Sequence, residues 1–506
     1  MVIRLAVLLS AYPAIRPSAL FAQCPDGTPP PCRAQPARTT TAPAPNSVAV
    51  LYFDNLSRDT ADAYLADGLA EEITHRLGAI ERLQVQGRNA VRRAQLSVRG
   101  DLRALASALR VRWLVEGSVR RSGEHIRVSA RLLRADGFQA WGESYEHSIG
   151  DLLALQEDIA RLVTTHIAGR LLPGERRTLT ALPTQSASAY DHFVRGNFYL
   201  ARRSVAGFVR AKEDYEAALR LDPRFARARA RLAYLAGVML DNQVPSGFDP
   251  ESLLTDGLAT AQRAVREDST DSEAWLALGY LLSYRHPRTF EGVRAAFTRA
   301  IALNPRNAEA HHQYAWILAL LGQDSLAVTE AFRALSLDPG LAITFNDLTV
   351  IHFVTRRYTE ALRWADSANA VEPGLAAEWS FEAAWYLGDT MRARVDAEAL
   401  RIARGTTWRL DLLAARAGDS AAARRARETI IGWSGEADSV KPNSGTGLAS
   451  MLVKAGDRER ALEVLARTGP RGARLWFFLR RPDFDPIRDD PRFLQIVAES
   501  RPLGAP

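Results

Sequence analysis

Small and bulky apolar residues recur through the second half of this chain with a period of 34. Pro305, Pro339 and Pro373 mark the period. Five, eight and twelve positions before them stand Ala300, Phe297 and Val293, then Ala334, Ala331 and Ala327, then Ala368, Ala365 and Ala361. The frame also fits upstream, where Pro223 follows Ala218, Tyr215 and Ala211. It sets the bulky positions of the next unit's first helix at Trp275, Leu278 and Gly279, and again at Tyr314 and Ala315. Small residues at helix crossings and a proline at each helix stop predict a solenoid of helix pairs. The unit after Pro223 is longer, and "DNQVPSGFDPES" at 241–252, rich in turn formers, is its insertion. Beyond Pro373 the period decays, with helix pairs expected around 375–430 and 445–467.

The first part has another rhythm. "SVAVLYF" predicts a buried strand and "RLQVQG" a second. Between them Leu65, Leu69, Ile73 and Leu77 mark an amphipathic helix ending near Gly78. Two shorter helices are expected near 89–97 and 101–109. From Val111 to His147, polar and apolar residues alternate, broken at Ser122-Gly123 and Asp136-Gly137. That pattern predicts three antiparallel strands with tight turns. Ser148 and Asp151 form a capping box for a closing helix striped by Leu152, Leu155, Ile159, Val163 and Ile167. The expected organisation is multidomain: a leader at 1–22, a proline-rich tether at 23–46, an α/β domain with a mixed sheet and flanking helices at 47–172, a linker at 173–185, repeats at 186–375, and degenerate helical repeats with a C-terminal cap at 376–506. In the tail, "LWFFLRRPDFDPIRDDPRFLQIV" reads as the cap over the last apolar face, or as a separate binding motif.

The 34-residue frame resembles the tetratricopeptide repeat family. The resemblance implies an all-α superhelix whose first helices line a concave, peptide-binding groove at positions 2, 5, 9, 12 and 13. Carried onto this chain, those positions are Arg227 and Tyr234; Leu276, Tyr280 and Tyr284; Glu309, His312, Trp316 and Leu320; and Ile343, Asn346, Val350 and Phe353. Arg227, Tyr234, Tyr280, Tyr284, His312, Trp316, Asn346 and Phe353 are the expected partner contacts. Trp316, Tyr280 and Phe353 would form an aromatic patch, the kind of anchor that dominates interfaces. The first part resembles the TolB-like amino-terminal domain. The resemblance rests on "VAVLYFDNLS" at 48–57, "YLADGLAEEI" at 64–73, "GRNAV" at 87–91, "LVEGSVRRSGEHIRVSARLL" at 114–133, "WGESYE" at 141–146 and "LLALQEDIA" at 152–160. Tyr52 stands where that family usually has proline. In the family this domain commonly precedes tetratricopeptide repeats, sometimes joined to a cyclase, kinase or DNA-binding domain.

The N-terminus reads as an export signal, with Arg4 before Leu5–Leu9 and a small Ala22 before cleavage, or as a misplaced start. Cys24 and Cys32 are the only cysteines. In an exported chain they favour a disulfide; free thiols or a metal site are the alternatives. The net charge is +7, carried by arginine with three lysines, Lys212, Lys441 and Lys454. The basic residues are dispersed, which argues against nucleic acid. No phosphate loop, dinucleotide loop, H-E-x-x-H or G-x-S-x-G is present. His311 and His312 are adjacent and diverge on a helix, as do Glu71 and Glu72. Surface or groove positions are expected for the histidines, and a solvated face for the glutamates. Gly117, after Glu116 in a strand, marks close backbone approach or a bulge. The expected function is an exported, periplasmic, non-catalytic scaffold for a protein or peptide partner, with no cofactor or metal and no transmembrane segment once the leader is removed. The alternatives are a sensory module binding a small molecule and a non-catalytic subunit of a cyclase or kinase.

Overall fold

A computed structural model of the chain describes residues 42–98, 100–242, 248–285, 290–434, 442–503 and 505. The export signal, both cysteines and most of the tether lie outside the described residues. Ala44–Pro506 form one compact unit, mostly helical, with a small mixed sheet near its N-terminal end.

The sheet comprises β1 (Ser47–Val50), β2 (Asp54–Asn55), β3 (Gln84–Val85), β4 (Trp113–Ser122), β5 (His125–Arg134) and β6 (Gln139–Ser148). Its order is β3-β1-β4-β5-β6, with β2 beside β4. β1 runs parallel to both neighbours and is buried along its whole length, as a strand covered on both faces must be. β4, β5 and β6 form the antiparallel meander that the alternation predicts, turning at Gly123 (φ 62°) and Gly137 (φ 88°). Glycine adopts these left-handed angles without steric cost. Ile126, Val128, Ala130 and Leu132 point from β5 into the core shared with α1 (Ala63–Gly78) and α4 (Leu152–Ala168). The Ser148–Asp151 capping box is present ahead of α4. On the other face, α2 (Arg88–Ser97) and α3 (Leu102–Leu109) cover only one end of the sheet, around Ala49, Leu51, Leu114 and Leu133. Gly117 is a close-approach position: a Cβ there would lie 2.4 Å from the Phe53 ring and the Ser129 carbonyl.

The stretch expected as a linker contains a helix, α5 (Pro173–Thr180). Leu179 is buried and its carbonyl accepts from the Arg76 guanidinium, so this stretch has apolar and polar anchors that its short length hid.

Helix pairs follow: α6 (Ala187–Leu200) with α7 (Val205–Leu221), α8 (Ala226–Asp241) with α9 (Pro250–Glu267), α10 (Ser272–Tyr284) with α11 (Glu291–Leu303), α12 (Ala308–Leu320) with α13 (Asp324–Leu337), α14 (Ala342–Val354) with α15 (Tyr358–Val371), α16 (Ala377–Leu387) with α17 (Thr390–Arg404), α18 (Trp408–Arg416) with α19 (Ser420–Ser434), and α20 (Pro442–Lys454) with α21 (Arg458–Arg467). Ala300, Ala334 and Ala368 are fully buried at the crossings. Asn304, Asp338 and Glu372, each just before a periodic proline, leave their helices with extended φ near −140°, the conformation proline imposes on its predecessor. α22 (Ala473–Leu479), a 3-10 turn at Pro482–Ile487 and α23 (Pro491–Ser500) end the chain.

The sheet and its helices pack directly on the array. A Cβ on Gly68 of α1 would collide with Val194 of α6 at 2.0 Å. Arg306 donates to the Leu83 carbonyl. Asp338 caps α2 from across the chain, accepting from the backbone N–H of Asn89 (3.3 Å) and Ala90 (3.1 Å). Gly340 approaches the same turn so closely that a Cβ would lie 2.2 Å from the Asn89 carbonyl carbon.

Candidate functional site

The inner face of the array is built from one side of the first helix of each pair. Helical spacing brings residues of successive first helices together: Tyr280 packs on both Tyr234 and Tyr284, and Tyr234 and His312 both bond Glu309. What covers them differs along its length.

At the N-terminal end, Arg227 reaches α1 and donates from both terminal nitrogens to Glu72, each at 3.1 Å. Glu72 is 5 % exposed and also pairs with Arg76; Glu71 pairs with Arg88. The solvated face expected for these glutamates is therefore an interface, because α1 packs under the first repeats. Burial alone would raise the Glu72 carboxyl, but Arg227, His75 and Arg76 together outweigh it and hold the group at about 2.

Three repeats contribute to a buried polar chain in the middle. Tyr234 donates to Glu309 at 2.6 Å. Gln313 donates to the same carboxylate at 2.9 Å. His312 lies between Glu309 (3.4 Å from Nδ1) and Asp347 (2.9 Å from Nε2). Burial would lower the His312 imidazole, but the hydrogen bonds to Asp347 and Glu309 raise it to about 10. Burial would raise Glu309, yet His312, Tyr234 and Gln313 together hold it well below the usual carboxylate range. His312 is thus a structural cation. Its neighbour His311 is also buried, between Glu330 (2.6 Å) and the Pro305 carbonyl (3.1 Å). Neither is a surface group: α13 of its own pair closes over His311, and α14 of the next pair over His312. Tyr280 packs on Tyr234 with centroids 5.8 Å apart, in space opened by Gly237, where a Cβ would touch the Tyr280 ring at 2.6 Å.

The chain's own tail fills the C-terminal half. Trp316 meets Phe477 edge to face at 5.4 Å and Phe478 at 6.4 Å. Trp379 stacks on Phe478 at 6.1 Å. Phe353 is fully buried against Tyr358, Trp379 and Tyr386, with the Arg481 guanidinium 5.5 Å above it. Tyr284 donates to Asp241 (2.7 Å) beneath Arg474 of α22, which pairs with Asp241 at 3.3 Å. Arg480 pairs with Asp324 at 2.5 Å, and Arg356 grips Asp485 with bonds of 2.8 and 2.7 Å. Deeper still, Lys454 and Arg481 enclose Glu382 and Asp483, whose side chains are almost fully buried. Asn346 stays half-buried, its Oδ1 shielded and without a hydrogen-bond partner. The aromatic strip expected as open surface is therefore packed from within the chain. Asp241, Asp347, Arg474 and Arg481 escaped sequence reasoning, because their partners are set by tertiary packing rather than spacing.

A separate cleft of about 790 Å³ lies on the part of the sheet that α2 and α3 leave uncovered. Tyr52, Gln95, Glu116, Arg131 and Glu143 are among its lining residues. Arg131 pairs with Glu116 at 2.6 Å on its floor. Among the described residues, no group of three or more His, Cys, Asp or Glu side chains is placed to hold a metal ion. Among them no helix is long and apolar enough to cross a membrane.

The tetratricopeptide repeat family matches residues 296–329, which span most of α11, all of α12 and the start of α13. The chain thus carries a tetratricopeptide unit inside an array of similar helix pairs. A protein of Rhizobium meliloti (strain 1021) named "Putative adenylate cyclase 3" is 31 % identical over 246 residues, 48 % of this chain and 41 % of that protein. The chain therefore spans less than half the length of this curated relative. Among solved structures it is similar to TTC0263, a thermophilic tetratricopeptide protein of Thermus thermophilus, at 20 % identity over 39 % of this chain and 98 % of that one (TM-score 0.32). It is also similar to PilF of Pseudomonas aeruginosa, at 16 % identity over 45 % and 97 % (TM-score 0.34).

Proposed function

We propose that this chain is an exported, non-catalytic scaffold that holds a protein partner against its repeat array, with the α/β portion serving as a TolB-like module. The observation that carries the reading is the array itself, a stack of helix pairs containing a tetratricopeptide unit at 296–329. Stacked pairs build extended binding surfaces without a catalytic centre. Export to the periplasm is supported by Arg4, the Leu5–Leu9 run and Ala22. Partner contact is proposed at the N-terminal end of the array, where Arg203 is exposed, rather than at the aromatic strip beneath α22. Crosslinking the purified full chain in envelope extract tests this. A single protein crosslinked to the inner face at stoichiometric yield is expected. Failure to recover any such protein overturns the reading.

A second reading has its own observation. The cleft of about 790 Å³ in the α/β portion suits a small molecule, and supports a sensory module or a non-catalytic subunit serving a cyclase or kinase on another chain. A melting shift caused by a protein-free small-molecule extract, abolished by Glu116→Ala, would favour it.

A further inference from the structure

β6 is the edge of the sheet: among the described residues β5 is its only strand neighbour. It is ten residues long, Gln139–Ser148, and largely exposed. An edge strand presents a row of unpaired N–H and C=O groups, a template for another strand. Natural edges are blunted by short length, proline, charged side chains (lysine above all) or a bulge, and of these β6 carries the charges Glu143 and Glu146. β6 has neither proline nor lysine, and its one irregularity faces β5 at Leu132/Leu133 near the turn.

From the sequence of this edge, we infer that it pairs with β6 of a second copy, antiparallel about a two-fold axis through Ser144. A two-fold axis perpendicular to the sheet keeps each face continuous, so only residues on the same face can stand opposite one another. Two registers use nearly the whole strand. Centring on Glu143 sets that carboxylate against its own copy, and like charges directly opposite are destabilising. Centring on Ser144 removes every such clash. Glu143 then faces Tyr145 of the second copy, and Trp141 faces His147. Within one strand the Tyr145 hydroxyl already donates to Glu143 at 3.0 Å, so the exchange across the axis uses groups known to suit each other. On the opposite face Glu146 meets Gly142, which has no side chain to oppose it. The chemistry of "WGESYEH" thus reads as complementary to itself when reversed. The inference is independent of the scaffold reading.

Charge at the axis tests it. Ser144 is exposed, so Ser144→Lys and Ser144→Glu should leave the thermal melt intact, which circular dichroism checks. Sedimentation velocity of the full chain should show a concentration-dependent dimer for the wild type. Each variant alone should be monomeric, because two like charges then face each other. Mixed in equal amounts, the Ser144→Lys and Ser144→Glu chains should restore the dimer. In a Cys24→Ser, Cys32→Ser background, Ser144→Cys should form an oxidised dimer and Glu146→Cys should not. A wild type that stays monomeric at every concentration reached overturns the proposal. So does a dimer indifferent to Ser144→Lys, or variants that do not associate on mixing.

Discussion

The indole of Trp316 meets the ring of Phe477 edge to face, with centroids 5.4 Å apart. This contact joins the middle of the repeat array to a helix only seven residues long near the end of the chain. It converts a position expected to bind partners into one that holds the fold.

Trp316→Ala should therefore destabilise the protein by about 3 kcal/mol, the low end of the range for truncating a packed aromatic, because Trp316 is half-buried. The sequence alone implies the reverse, lost partner binding at unchanged stability. Chemical denaturation separates the two: an unchanged midpoint would mean that α22 is held without Trp316, by its ion pairs and by Trp379 against Phe478.

Helical periodicity shows which residues share a face, but not what lies over that face. The crossings at Ala300, Ala334 and Ala368 and the strand turns at Gly123 and Gly137 were legible because they depend on neighbours close in sequence. So was the gathering of Tyr234, Glu309 and His312 on one surface. Burial of Trp316 and Phe353 was not, since Phe477 and Phe478 cover the first and Trp379, Tyr386 and Arg481 the second from beyond the repeat frame. Glu72 was misjudged for the same reason: an adjacent glutamate pair reads as solvated until Arg227 is seen opposite.

The pH dependence of stability should show Glu72. Its folded pKa, about 2, is below the ordinary 4.5. The stabilisation is therefore complete above about 4.5 and is lost as pH falls toward about 2. The displacement corresponds to about 3 kcal/mol at most. Glu72→Gln should flatten this part of the profile and lower stability at pH 7, measured by urea unfolding.

His312 should act at the opposite end. Its pKa rises from 6.5 to about 10 on folding. Its contribution is full below 6.5 and declines as pH climbs to about 10. Unfolding midpoints between pH 6 and 10 should fall for the wild type. His312→Asn should be less stable at pH 6 and lose most of that slope.

Gly340→Ala should loosen the α/β portion from the array. A Cβ there has no room beside the Asn89 backbone, and overpacking costs about 1–3 kcal/mol. Hydrogen exchange at Asn89 and Ala90, whose N–H groups Asp338 accepts, should accelerate. Protection equal to the wild type would mean that the turn adjusts freely.

Arrays of helix pairs bend and stretch like springs, because each unit touches only its neighbours. This one is splinted. Bonds from Glu72 to Arg227, Leu83 to Arg306 and Ala90 to Asp338 tie the helices and loop around the sheet to three points along the array, while the tail laces Asp241, Asp324 and Arg356 together from inside. The pitch of the coil is thereby set at folding, and any molecule that docks on it meets a surface of fixed curvature.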